Sequence, residues 1–411
     1  IKVESRRYPD VIRYLGSGWL AKDRFGPEVW GDCGPAVSEF VTGKRSLGLD
    51  LKSPAAKPIT KRLLERTDVF ISNYSAPAVK ALGLDYESVR AVRPDVIYAS
   101  ISGFGCDPAT PYYDFVSWGP NQAPIIGLDD LTGWADRAPS GFSATAFPDY
   151  SNGAHATVAV LSAILRRDAT GEGEFIELAQ LEATAATLGP WFTDAQRGRA
   201  PRRDGNRVPG AAPHGVYPCR GTDRWVALAV FADEEWRALS AAAEHPEWAE
   251  DPRFATADAR RANQDTLDEA IAAWTRASTD DAVAERLQRV GVAAAPVLDN
   301  ARVALDPQLR SRSFWALAEH ARFGADLVTG NPIALSGTPG AAGRAGPSFG
   351  QDNDYVLGEV CGYSREEIDS FVAARVVEPM ASPGVELDRP YLSWIRHFMP
   401  ELPWPKPRGR S

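Results

Sequence analysis

Val69-Phe70-Ile71-Ser72, then Ala76–Leu82 followed by Gly83, then Tyr86–Val92, then Val96-Ile97-Tyr98-Ala99-Ser100-Ile101 succeed one another through residues 69–101. The outer two pieces are short apolar stretches that read as strands, and the inner two read as helices. Gly83 stands where a helix should stop, because glycine enters the left-handed C-terminal cap conformation without steric cost. Short strands alternating with helices indicate βαβ units and a parallel sheet.

Outward from that run, residues 1–4 read as a short strand and 46–51 as a half-buried, alternating one. Ser53-Pro54 opens a helix to about Arg66, with Pro58 tolerated near its first turn. Residues 103–150 are rich in Gly, Pro, Asp and aromatics, and loops of that length are usually functional. A helix over 153–166 follows, carrying Val158, Leu161, Ile164 and Leu165, and it reads as buried nearly all round. Gly171 and Gly173 end it, and 174–178 returns as a strand.

From about Pro218 the texture changes to a strand at 224–230 and a charged helical stretch to Val290. Residues 292–298 should lead back to the first domain, completed by 331–336 and a helix around Tyr355 and Leu357. The expected organisation is α/β: a Rossmann-like large domain from 1–200 and 301–378, and a smaller α+β domain at 201–300. A tail at 379–411 should pack Tyr391, Trp394, Phe398 and Trp404 on a surface.

Composition narrows the function. No apolar run approaches the roughly 20 residues of a membrane span, and a net charge of −9 argues against nucleic acid and anionic membranes as partners. Four scattered cysteines (Cys33, Cys106, Cys219, Cys361) and five scattered histidines show no metal-ligand spacing, so no metal is expected. A reducing cytoplasm is the simplest home for such a chain.

The segment with most chemistry is Phe147-Pro148-Asp149-Tyr150-Ser151-Asn152-Gly153-Ala154-His155. Asp149 has the plain reading of a helix N-cap, but Ser151 or Asn152 could cap as well and free it for other work. A carboxylate near a helix N-terminus is held ionised by the dipole, which suits a nucleophile. His155 reads as packing rather than catalysis.

The order Gly43-Lys44-Arg45-Ser46, Leu49-Asp50-Leu51-Lys52, Asn73-Tyr74, Arg93-Pro94 and Ser102-Gly103-Phe104-Gly105 resembles the class III (CaiB/BaiF-type) CoA-transferases. The resemblance continues through Asp149 with Gly153, Thr170-Gly171-Glu172-Gly173, Gly215-Val216-Tyr217-Pro218, Asp251-Pro252-Arg253-Phe254 and Asp306-Pro307-Gln308-Leu309. It implies transfer of coenzyme A between an acyl-CoA thioester and a carboxylic acid, with coenzyme A carried as substrate. Asp149 would be the nucleophile, forming a mixed anhydride and then an aspartyl-CoA thioester. Lys44, Arg45, Asn73, Tyr74 and Tyr112 match coenzyme A-binding positions. The resemblance also implies an interlocked homodimer, or pairing with a homologous partner chain.

Departures mark the alternatives. Ser5 and Ala81 stand where some members carry arginine, and the family's opening strand and helix have no counterpart before Ile1. Acyl-CoA racemases of the same fold place a histidine base where this chain has Tyr113, so that reading lacks its second proton-transfer group. A non-catalytic subunit of a heteromeric CoA-transferase is the third reading.

Overall fold

Among the described residues β1 (Lys2–Glu4), α1 (Pro35–Phe40), β2 (Ser46–Gly48), α2 (Ala56–Leu64), β3 (Val69–Ser72), α3 (Ala76–Leu82), α4 (Tyr86–Val92) and β4 (Ile97–Ser100) come first. Next are α5 (Gly119–Ile125), the long α6 (Phe147–Thr170), β5 (Glu174–Glu177), α7 (Gln180–Ala186) and α8 (Gly189–Gln196). They are followed by β6 (His214–Pro218), β7 (Trp225–Ala229), α9 (Asp233–Ala242), α10 (Glu247–Glu250), α11 (Ala257–Ala262), α12 (Gln264–Thr275), α13 (Asp280–Gln288) and β8 (Ala293–Pro296). The last group is α14 (Asn300–Ala304), α15 (Pro307–Ser311), β9 (Trp315–His320), β10 (Gly324–Thr329), a π-helical turn at Tyr355–Val360 and α16 (Arg365–Ala373). This computed structural model describes residues 1–13, 32, 35–141, 146–199, 202–321, 324–340 and 343–380, so Cys33 and the tail aromatics Tyr391, Trp394, Phe398 and Trp404 lie outside the described residues. The fold is mixed α/β, in two units: 1–99 with 160–176 and 300–411, and 100–159 with 177–299.

In the first unit β1 and β2 pair in parallel, Val3 opposite Leu47. All of β2 is buried, under a core of Leu47, Leu49, Ile59, Val356, Leu357 and Val377. The half-buried strand expected at 46–51 is a strand only over 46–48, and there it is fully covered, because Gly48 lets the 378 backbone lie directly on it. A Cβ at Gly48 would overlap the Glu378 carbonyl, and Glu378 N–H instead donates to Gly48 O at 2.9 Å. A second sheet has the order β3-β4-β5. Glu174 N–H bonds Val96 O, and Tyr98 stacks with Phe70 at 4.8 Å and donates its hydroxyl to Leu84 O at 2.7 Å. The helix stop expected at Gly83 is present, at φ +68°.

The second unit contains a separate body over 214–296. Antiparallel β6-β7-β8 covers a core of Trp236, Leu239, Leu267, Ile271 and Leu287. Arg260 is fully buried there, donating to Ala212 O at 2.7 Å, Phe254 O at 3.1 Å and Asp233 Oδ1 at 2.9 Å.

Other expectations are refined or corrected. Residues 293–296 do not lead away from the small sheet but form its edge, with Ala294 opposite Leu228. Residues 331–336, expected to help complete the first domain, lie in the first unit as irregular chain, after an antiparallel hairpin β9–β10 at 315–329. Helix α6 starts at Phe147 rather than 153, since Pro148 sits in the first turn, where its missing N–H costs nothing. Nor is α6 buried all round: Pro148, Asn152, Ala156 and Ala163 are buried, while Val158, Leu161 and Leu165 are exposed.

Candidate active site

Asp149 is the third residue of α6, inside its first turn rather than at the cap. Ala146 enters that turn at φ +47°, an uncommon conformation for a residue with a Cβ, and its carbonyl accepts Asp149 N–H at 2.9 Å. The Asp149 carboxylate lies against the Cα of Gly119, the first residue of α5; a methyl group at 119 would overlap Oδ2. Asn121 Oδ1 accepts Trp118 N–H at 2.8 Å and so fixes the start of α5 beneath the carboxylate.

Among the described residues no hydrogen bond or ion pair engages the Asp149 side chain. The residue is exposed by area, yet one side of its carboxyl faces protein instead of water. That desolvation raises its pKa above the ordinary carboxylate value, against the pull of the helix N-terminus. A carboxylate with no cation to quiet it is more basic, and a better nucleophile, than one in a salt bridge.

Below it lies a buried amide network that sequence reading did not identify. Gln122 Nε2 donates to Ser117 Oγ at 2.8 Å and to Gln180 Oε1 at 2.6 Å. Asn152 Nδ2 donates to Pro148 O at 2.6 Å, and to Gln180 O and Thr184 Oγ1 at 3.3 Å each. Asn152 is thus neither cap nor surface, and Ser151 too lies within the helix. His155 is exposed, with Nδ1 2.8 Å from Ser151 O one turn back in its own helix.

The other expected positions are distributed over both units. In the second, Tyr112 is exposed in an aromatic group with Phe104 at 5.3 Å and Phe115 at 5.2 Å, without a hydrogen bond to Asp149. In the first, Asn73 and Tyr74 follow β3 and are exposed, Tyr74 N–H donating to Ser72 Oγ at 3.2 Å. Lys44 Nζ donates to Phe40 O at 2.9 Å, and burial followed by the charge of Lys2 lowers its pKa. Arg45 pairs with Asp352 at 3.2 Å and lies 3.7 Å over the Tyr355 ring. Arg6, beside Ser5, is spent on Pro379 O at 2.8 Å and the Phe349 ring at 4.6 Å. Among the described residues no group of His, Cys, Asp or Glu is placed to hold a metal, and no helix is long and apolar enough to cross a membrane.

A family model described as CoA-transferase family III matches residues 1–353. The chain belongs to that family. Within it, succinyl-CoA–D-citramalate CoA-transferase of Chloroflexus aurantiacus is 29% identical, over 81% of this chain and 82% of its own. Succinyl-CoA:mesaconate CoA-transferase of Haloarcula marismortui is 31% identical, over 80% and 83%. A Mycobacterium tuberculosis protein named a probable CoA-transferase is 30% identical across 92% of this chain, which spans only 46% of that relative's length. The crystal structure of a CaiB/BaiF family protein from Brucella suis matches with a TM-score of 0.77 at 28% identity, covering 87% of this chain and 91% of that one.

Proposed function

We propose that this CoA-transferase family III chain moves coenzyme A from an acyl-CoA to a carboxylic acid, with Asp149 as the covalent carrier. One Asp149 oxygen attacks the thioester carbonyl; the C–S bond breaks, giving a mixed anhydride and coenzyme A thiolate. The thiolate attacks the aspartyl carbon, the donor acid leaves, and an aspartyl-CoA thioester remains. The acceptor carboxylate opens this thioester to a second anhydride, and the thiolate attacks the acceptor's acyl carbon, freeing Asp149. Overall the exchange is nearly balanced in energy, because one acyl-CoA thioester is consumed and one is formed, and the covalent carrier divides it into four single acyl substitutions.

The observation that carries this reading is the Asp149 carboxylate, exposed, seated on Gly119 and without a charged partner among the described residues. The relatives' succinyl-CoA donors make succinyl-CoA the first donor to try. Incubation with succinyl-CoA followed by hydroxylamine should leave a mass adduct on the peptide containing Asp149. Failure of every acyl-CoA in a panel to label that peptide would overturn the reading.

The proposal extends to architecture: a Rossmann-like large domain and an interlocked pair of chains. Parallel β1–β2 pairing supports the first. The second is supported by Val158, Leu161 and Leu165, on one face of α6 at 67%, 55% and 73% exposure. A second copy would cover them, and sedimentation should show a dimer that Leu161→Asp weakens.

A further inference from the structure

Two buried amides sit at matching places on two short arcs of chain. Gln122 is three residues beyond Gly119 on α5, and Asn152 three beyond Asp149 on α6. In a helix, residues three apart share a face. Each amide therefore stands one turn along from a residue of the carboxylate contact. Gln180, the first residue of α7, joins them: its side chain accepts from Gln122 and its main-chain carbonyl from Asn152. Gln180 is itself pinned, its N–H donating to Ser102 O at 2.9 Å. Three helix starts thus close into a ring whose third side is the Asp149–Gly119 contact.

The ring is a poor device for stability. Gln122 and Asn152 are fully buried, yet among the described residues Gln122 Oε1 and Asn152 Oδ1 have no hydrogen-bond partner. A buried acceptor without a donor opposes folding, and apolar side chains of similar shape would fill the space at less cost. Ala123, Leu128 and Leu188 already provide an apolar cluster in this unit. What amides supply and leucines cannot is direction: each bond fixes both the distance and the rotation of the helix it grips. Asn152 also bonds back to Pro148 O, within the first turn that carries Asp149, where a helix end would otherwise fray.

We propose that Gln122, Gln180 and Asn152 form a positioning bridge that holds the Asp149 carboxylate on Gly119 and keeps water and cations from its inner face. The bridge rests on the reading of Asp149 as nucleophile for its purpose, though not for its geometry. None of its members touches the reacting atoms. They act through the placement of Asp149, whose raised pKa reports that placement.

Asn152→Leu and Gln122→Met keep approximate shape and remove the directional bonds. In the full chain both should slow succinyl-CoA labelling of Asp149 by about 10- to 100-fold with little change in KM, the scale of a misplaced reacting group. Melting temperature should hold or rise. The midpoint for carbodiimide and glycine ethyl ester modification of Asp149, followed peptide by peptide, should fall toward the ordinary carboxylate value as the inner face takes up water. A merely structural pair would instead lose melting temperature and leave labelling and midpoint unchanged, and that result overturns the bridge. If Asn152→Leu does not fold, Gln122→Met reads the same coupling from a different helix. The midpoint needs no turnover, so it judges the bridge even if Asp149→Asn stays active and the nucleophile assignment falls.

Discussion

Two of the places where the second unit buries polar side chains treat them oppositely. Around Arg260, buried Nε, Nη1 and Nη2 all have acceptors, two of them main-chain carbonyls that would otherwise be orphans. Around Asp149, Gln122 and Asn152 are buried with half of each amide unsatisfied, and the carboxylate itself is unpaired among the described residues. The first arrangement is a lock that removes unsatisfied groups from a core. The second retains them beside the carboxylate proposed as the nucleophile. A buried polar group therefore says little until its remaining valences are counted.

The sharpest way to break this contrast is to take the charge away. Asp149→Asn should reduce turnover by at least about 10⁴-fold while the far-ultraviolet dichroism stays native, since an amide is no nucleophile. Normal turnover would place the chemistry elsewhere.

Arg260→Met should do the reverse. It orphans the Ala212 and Phe254 carbonyls and leaves Asp233 without its partner, costing about 3–5 kcal/mol in urea denaturation. Turnover per folded molecule should not change; a catalytic loss would erase the distinction between the two sites.

Gly119→Ala is the intermediate case. Its methyl overlaps Asp149 Oδ2, so the carboxylate must rotate off its seat, with a loss of about 100-fold, or about 2.7 kcal/mol, in kcat. An unaffected enzyme would show that the seat is irrelevant.

The smallest effect concerns pH. Desolvation raises the folded-state pKa of Asp149, so ionising it opposes folding: its contribution is favourable at low pH and lost as pH rises through the folded pKa. Asp149→Asn, which never ionises, should therefore melt slightly higher than the parent at pH 7. The gain should vanish near pH 3, below the ordinary carboxylate pKa. A gain that grows on acidification would mean that the carboxylate is held by an attractive partner.

Local signals made part of this molecule readable. The 69–101 segment carries its own punctuation in Gly83 and in Asp85, whose side chain caps the next helix by accepting Ser88 N–H at 3.3 Å. The start of α6 does not: Phe147-Pro148-Asp149 reads as loop because the turn is imposed from outside, by Ala146 and α5. The apolar face of α6 led to an expectation of burial, although periodicity states only which residues share a face, not whether this chain covers them. The hairpin at 315–329 was missed because its partners are set by pairing rather than by a strong turn pair. Asp149 stands out in the sequence through its family motif. Gln122 and Gln180, 58 positions apart, do not, since no local pattern records a bond across that distance.

Gly119 has a consequence for how such a chain can change over generations. Every replacement of a glycine adds at least a Cβ, and here any Cβ meets the carboxylate of Asp149. The position has no neutral neighbour: the mildest single change is already a lesion of the seat. In a duplicated copy released from selection for turnover, the small-sheet core and the Arg260 bonds would stand without this glycine, since neither includes it. Positions 119 and 149 would then drift together, first the seat and then the acid. On the proposed reading of Asp149, a silent partner subunit would be recognised by the loss of this glycine, with the small-sheet core still in place.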